Sequence, residues 1–139
     1  MCEFTSNLIL CEFANNMHIK DRATEFGCDI IKLVGELPKN TVGYTIGNQV
    51  IRSGTAIGAI LTEAGSGTSY NDFVHLLRTA RKEARETRYW LKVIVQSSVL
   101  PAVGIDPLIA RCDEIERILT SSIKTAETRQ GDHKIKRKK

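Results

Sequence analysis

Apolar residues return every three or four positions through most of this chain. Between residues 20 and 37 they fall at Ala23, Phe26, Ile30, Leu33, Val34 and Leu37, the spacing of one buried helical face. Pro38 stops that run. A second segment, 41–64, places Ile46, Val50, Ile57 and Leu61 on one side. A third opens at Ser69, with Asp72 three residues on as an approximate capping box, and runs to about residue 97. After the loop "SVLPAVGID", Asp106 is expected as an N-cap with Pro107 at the first helical position. The helix so begun carries Leu108, Cys112, Ile115, Leu119 and Ile123. No segment alternates with period two. The predicted fold is all-α, an antiparallel up-down-up-down four-helix bundle over residues 20–128.

Residues 1–19 lack a strong period and read as an N-terminal extension. Met17, directly after "NN", is a candidate alternative start. At the other end, "RQGDHKIKRKK" holds six of the chain's 20 Lys and Arg against one of its 16 acidic residues. The first 128 residues therefore carry 14 basic and 15 acidic groups, so the net charge of +4 belongs to residues 129–139. That segment is expected to be a disordered basic tail. Its Lys134, Lys136, Arg137, Lys138 and Lys139 would supply salt-dependent contacts to nucleic-acid phosphates or serve only as a solubilising terminus.

The stretch "RSGTAIGAILTEAGSGTS" (residues 52–69) resembles a phosphate-cradling loop at first sight. A Walker loop, however, needs a lysine and a Ser/Thr directly after its last glycine, and no lysine lies between Lys39 and Lys82. A dinucleotide fingerprint needs a third glycine and a preceding strand. Gly54 and Gly58 instead lie one helical turn apart. Each glycine in a helix costs roughly 1 kcal/mol against alanine, and close approach of a neighbouring backbone is the usual compensation. Gly65 and Gly67 read as the turn before Ser69. The helix is apolar nearly all round, through Ile51, Ala56, Ile57, Ala59, Ile60 and Leu61. It is therefore expected to pack in its own core and also near another subunit, with a snug monomer as the plainer reading.

The third segment is polarised. At about 100° per residue, Phe73, Leu76, Leu77, Ala80, Ala84, Leu91 and Ile94 form one stripe. Arg78, Arg81, Arg85, Arg88 and Lys92 flank it on one side, and Asp72, Glu83 and Glu86 on the other. Three readings stand open. The flanks are solvated faces with local i,i+4 pairs; or the basic flank of one subunit meets Glu83 and Glu86 of the next in a cyclic homo-oligomer; or the arginine row faces RNA or DNA phosphates.

Catalytic chemistry finds little support. His18, His75 and His133 are scattered, and none has a nucleophile at suggestive spacing. His75 reads as a surface histidine. Cys2, Cys11, Cys28 and Cys112 form no CxxC pair, so no metal or cofactor is expected, and Cys28 and Cys112 read as buried thiols. No apolar run approaches the ~20 residues of a membrane span, and the first residues lack the basic region of a secretory signal. A non-enzymatic protein of the reducing cytoplasm is the resulting expectation.

The segments "QVIRSGTAIGAILTEA" (49–64), "SYNDFVHLL" (69–77) and "ARKEARETRYWLKVI" (80–94) resemble the bacterial four-helix bundle proteins that include those encoded by 23S rRNA intervening sequences. The resemblance covers residues 20–125, with one departure at Ile60, where that family usually carries asparagine. It implies a left-handed four-helix bundle assembled as a ring, typically a homopentamer. The fold is also similar to the accessory protein of diversity-generating retroelements, a basic pentamer associated with a reverse transcriptase and nucleic acid. These are the partners the resemblance implies: a second copy of the chain, RNA or DNA, and a reverse transcriptase.

Overall fold

The computed structural model describes residues 17–66 and 69–138 of the chain. Four helices account for nearly all of them: α1 (Met17–Glu36), α2 (Thr41–Ala64), α3 (Tyr70–Gln96) and α4 (Ala102–Arg137). No strand occurs among the described residues. Residues 1–16 of the expected N-terminal extension 1–19, with Gly67, Thr68 and Lys139, lie outside them, while its residues 17–19 begin α1.

Local chemistry sets each boundary. The Asn40 side chain accepts the Gly43 N–H and caps α2, and a side chain at Gly43 would strike the Pro38 carbonyl, 1.7 Å from an added Cβ. Ser69 caps α3 by accepting the Asp72 N–H at 3.2 Å, while its hydroxyl donates to the Asp72 carboxylate. At the far end of α3, Ser98 takes a left-handed φ of 57°. Val99 and Ser98 N–H groups then donate back to Ile94 and Val95, the paired bonds that close a helix C-terminus.

Two expectations about α4 are corrected. The helix starts at Ala102, and Pro107 lies inside it rather than at its first position. Proline removes the bond to the carbonyl four residues back, here that of Val103, which is 85% exposed and open to water. Burial of Ile105 to 1% exposure anchors the extra turn. At its other end α4 continues to Arg137, where an unstructured tail was expected.

The core comes from one face of every helix. Phe26, Ile30, Val50, Ile57, Leu91, Ile94 and Leu119 are almost fully enclosed. Adjacent helices in sequence pack together, α1 on α2, α2 on α3 and α3 on α4, and α1 meets α4 more lightly. Arg111 spans that last seam, donating to Asp29 at 2.5 Å with its guanidinium 5.4 Å from the Phe26 ring centre. Arg22 pairs with Glu114 beside it. The guanidinium next to Asp29 holds that carboxyl below its usual pKa.

Glycines bring α1 and α2 together. A Cβ at Gly54 would meet Ile30 Cγ2 at 2.9 Å, and one at Gly58 the Thr24 backbone at 3.5 Å. Gly54 thus acts as a close-packing position within the chain, whereas a Cβ at Gly58 would make an ordinary contact with α1. Cys112 is buried as expected, whereas Cys28 is exposed. It lies one residue, about 100° of helix, past the inward-facing Gly27.

Candidate nucleic-acid interface

The arginine row of α3 lies along the seam with α4. Arg78 pairs with Glu127, Arg85 Nε donates to Glu116 at 2.6 Å, and Arg88 reaches Asp113 at 2.5 Å and Glu116 at 2.7 Å. Between these rungs Arg81 donates to the Thr120 hydroxyl at 3.4 Å. Partners fall in number along α4 as the arginines rise along α3. The row is therefore largely engaged inside the chain, its partners Asp113, Glu116, Thr120 and Glu127 recurring at the three-, four- and seven-residue spacing of one α4 face. Hydrogen bonding to Asp113 pushes the Arg88 pKa above its usual value against partial burial.

The acidic flank is also engaged. Arg52 of α2 pairs with Glu86 and lies 3.3 Å from Glu83, and the bond to Glu86, then the charge of Glu83, raise its pKa. Beneath this pair Thr87 and Ser53, both fully buried, share a 2.8 Å hydrogen bond. Asp72 stays at the helix cap. His75 is exposed.

Five predicted cations remain open. Lys92, Lys134, Lys136, Arg137 and Lys138 are exposed and form no ion pair among the described residues. The last four stand on the end of α4. Gln130 donates to Asn71 at the start of α3 at 2.5 Å, and beyond Gln130 every side chain described is exposed. The helix there is an arm clear of the first turn of α3.

On the outer side of the same seam, a groove of about 610 Å³ is lined by Arg117, Thr120, Ser121 and Lys124 alongside Arg88, Asp113 and Glu116. The α4 residues among these were not singled out from the sequence. Their signal was the 117, 120, 121, 124 spacing, which places two cations and two hydroxyls on one helical face. Among the described residues no cluster of His, Cys, Asp or Glu is built to hold a metal ion, and no helix is long and apolar enough to cross a membrane.

The model of the 23S rRNA-intervening sequence protein family matches residues 15–121. The chain belongs to that family. It is also similar to a solved structure from Bacteroides thetaiotaomicron, described as a protein of unknown function from the S23 ribosomal protein family. The two are 34% identical with a TM-score of 0.72, over 76% of this chain and 98% of that one. No curated protein matches the chain. The 23S rRNA-intervening sequence match ends at residue 121, so the basic end of α4 lies outside it. Neither description names a catalytic activity. Ile60, where asparagine was the family expectation, is half-buried against the core.

Proposed function

We propose that this chain is a non-enzymatic bundle with antiparallel, up-down-up-down helices that assembles as a cyclic homo-oligomer and binds nucleic acid. The observation that carries the nucleic-acid reading is the arm at the end of α4. Lys134, Lys136, Arg137 and Lys138 stand there without carboxylate partners among the described residues. Cations in that state release counterions when they meet phosphates, which makes binding steeply salt-dependent. A ring repeats the arm and multiplies its effect. The cytoplasm as location rests on the cysteine pattern and the first residues, while a bacterial source, five as subunit number and a reverse transcriptase as a further partner rest on the family resemblance.

Fluorescence anisotropy of RNA and DNA oligonucleotides across salt, with and without residues 129–139, tests this. The full chain should bind with a steep salt slope, and deletion should remove most of it. No detectable binding at low salt overturns the reading.

A second reading is a structural assembly protein with a protein partner and no nucleic-acid binding. One observation favours it. Of the 24 residues of α2, Arg52 and Glu63 are the charged ones, while Tyr44, Asn48, Thr55 and Ala59 share one exposed face. A solvated helix face usually carries charge, so this face suits contact with a second copy. A monomer by light scattering at micromolar concentration would remove the ring from both readings.

A further inference from the structure

The ladder between α3 and α4 has one rung of different chemistry. Arg78, Arg85 and Arg88 each face a carboxylate, but Arg81 faces Thr120. Arg81 is partly buried, and the Thr120 hydroxyl, at 3.4 Å, is its partner among the described residues. Four of its five N–H donors are thus unused. Arg117 donates only to the Asp113 carbonyl, at 3.3 Å along its own helix. Lys124 has no partner among the described residues. The carboxylates nearby are committed elsewhere, Asp113 to Arg88, Glu116 to Arg85 and Arg88, and Glu127 to Arg78. Arg81 at the Thr120 hydroxyl, and Arg117 and Lys124 along the groove that Thr120 and Ser121 line, therefore have no uncommitted carboxylate to offset them among the described residues.

We propose that this notch, lined by Arg117, Lys124, Thr120 and Ser121 and reached by Arg81 at the Thr120 hydroxyl, binds a phosphate group. The missing rung is the argument. Where the neighbouring arginines meet a fixed carboxylate, Arg81 meets the short neutral hydroxyl of Thr120, and Thr120 in turn lines a groove of about 610 Å³ with Ser121, Arg117 and Lys124, which leaves room for an anion from outside. Planar guanidinium donors and a mobile ammonium suit a tetrahedral oxyanion, and the two hydroxyls supply neutral donors to its remaining oxygens. The phosphate is either free inorganic phosphate or a backbone phosphodiester. The second source rests on the function proposed above, the first does not.

The test uses the full chain and the variant Thr120→Glu. A glutamate opposite Arg81 completes the ladder, so the variant should fold at least as stably as the parent while its notch is filled by its own carboxylate. Inorganic phosphate should raise the thermal midpoint of the parent beyond chloride of equal ionic strength, and should fail to do so for T120E. An RNA oligonucleotide should bind T120E about tenfold more weakly, with a salt slope lower by about one. The double variant R117Q/K124Q, which alters only exposed ends, should behave like T120E and carries the test if T120E misfolds. Unchanged RNA affinity in these variants, with no phosphate-specific stabilisation of the parent, overturns the notch even where loss of residues 129–139 abolishes RNA binding. Phosphate protection that T120E removes, in a chain that binds no RNA, supports a free-phosphate site and overturns the nucleic-acid reading alone.

Discussion

Gly54 lies so close to Ile30 that a single added methyl would sit 2.9 Å from Ile30 Cγ2 and 3.0 Å from Cγ1. Ile30 is fully buried and has no free direction in which to move. Alanine at 54 gains roughly 1 kcal/mol of helix propensity, but overpacking costs roughly 1–3 kcal/mol, and the clash should win. Gly54→Ala is expected to lower the urea midpoint, whereas Gly35→Ala, with nothing within 4 Å, should hold or raise it. Ile30→Ala should cost less in the Gly54→Ala background than in the parent, because the added methyl fills part of the cavity and the atoms it met are gone. A G54A protein as stable as G35A would show that α1 is not held this closely.

The Ser53–Thr87 bond is the polar centre of the α2–α3 contact. Thr87 also donates toward the Glu83 carbonyl, and Ser53 lies 3.4 Å from the Val50 carbonyl. Thr87→Val removes the partner of a buried hydroxyl and should cost about 1–3 kcal/mol. Ser53→Ala in addition should cost less than the sum, since both groups are then apolar. Denaturant unfolding of the four-protein cycle measures the coupling, and strict additivity would show that the two hydroxyls do not depend on each other.

How far the sequence reveals this molecule differs from element to element. The α2 boundaries were legible because Pro38 and Gly65 bracket an unbroken apolar period. The start of α4 was misread because Asp106-Pro107 is a strong helix-start signal, and only the burial of Ile105, a tertiary fact, outweighs it. The two flanks of α3 were legible from 100° periodicity alone. Their partners were not, because pairing depends on which residues of α2 and α4 come level with them. The glycine surface of α2 was readable as a packing device, but its occupant, Ile30 of α1, is fixed by the turn at Pro38 and Asn40.

The ion pairs of the α3–α4 seam should differ sharply in weight. The Glu116 side chain is 15% exposed and serves both Arg85 and Arg88. Glu127 is 47% exposed and serves Arg78 alone. An exposed pair contributes up to about 1 kcal/mol, so Glu127→Gln should barely change the urea midpoint. Glu116→Gln leaves a partly buried guanidinium short of an acceptor and should cost about 1–3 kcal/mol. Equal losses in the two variants would mean that solvent screens the whole seam alike.

Cys112 gives the fold a sensitivity to alkali. Burial, helped by the negative charge of Asp113, raises its thiol from the usual 9.0 to about 12, so the folded chain holds the proton more tightly than the unfolded chain. Below pH 9 both states are protonated and this preference contributes in full. As pH rises from about 9 toward 12 the unfolded chain ionises first and gains in free energy, so stability falls. Cys112→Ala should be less stable near neutrality because of the cavity it leaves, yet should lose less on going from pH 8 to 10 than the parent does. Peptide mapping after alkylation at pH 8 gives a second reading. Cys28, exposed on α1, should label in the native protein, while Cys112 should label only on unfolding, because the thiolate is the reactive form. Equal labelling of the two in the folded state would place Cys112 in contact with water and remove the alkaline slope assigned to it.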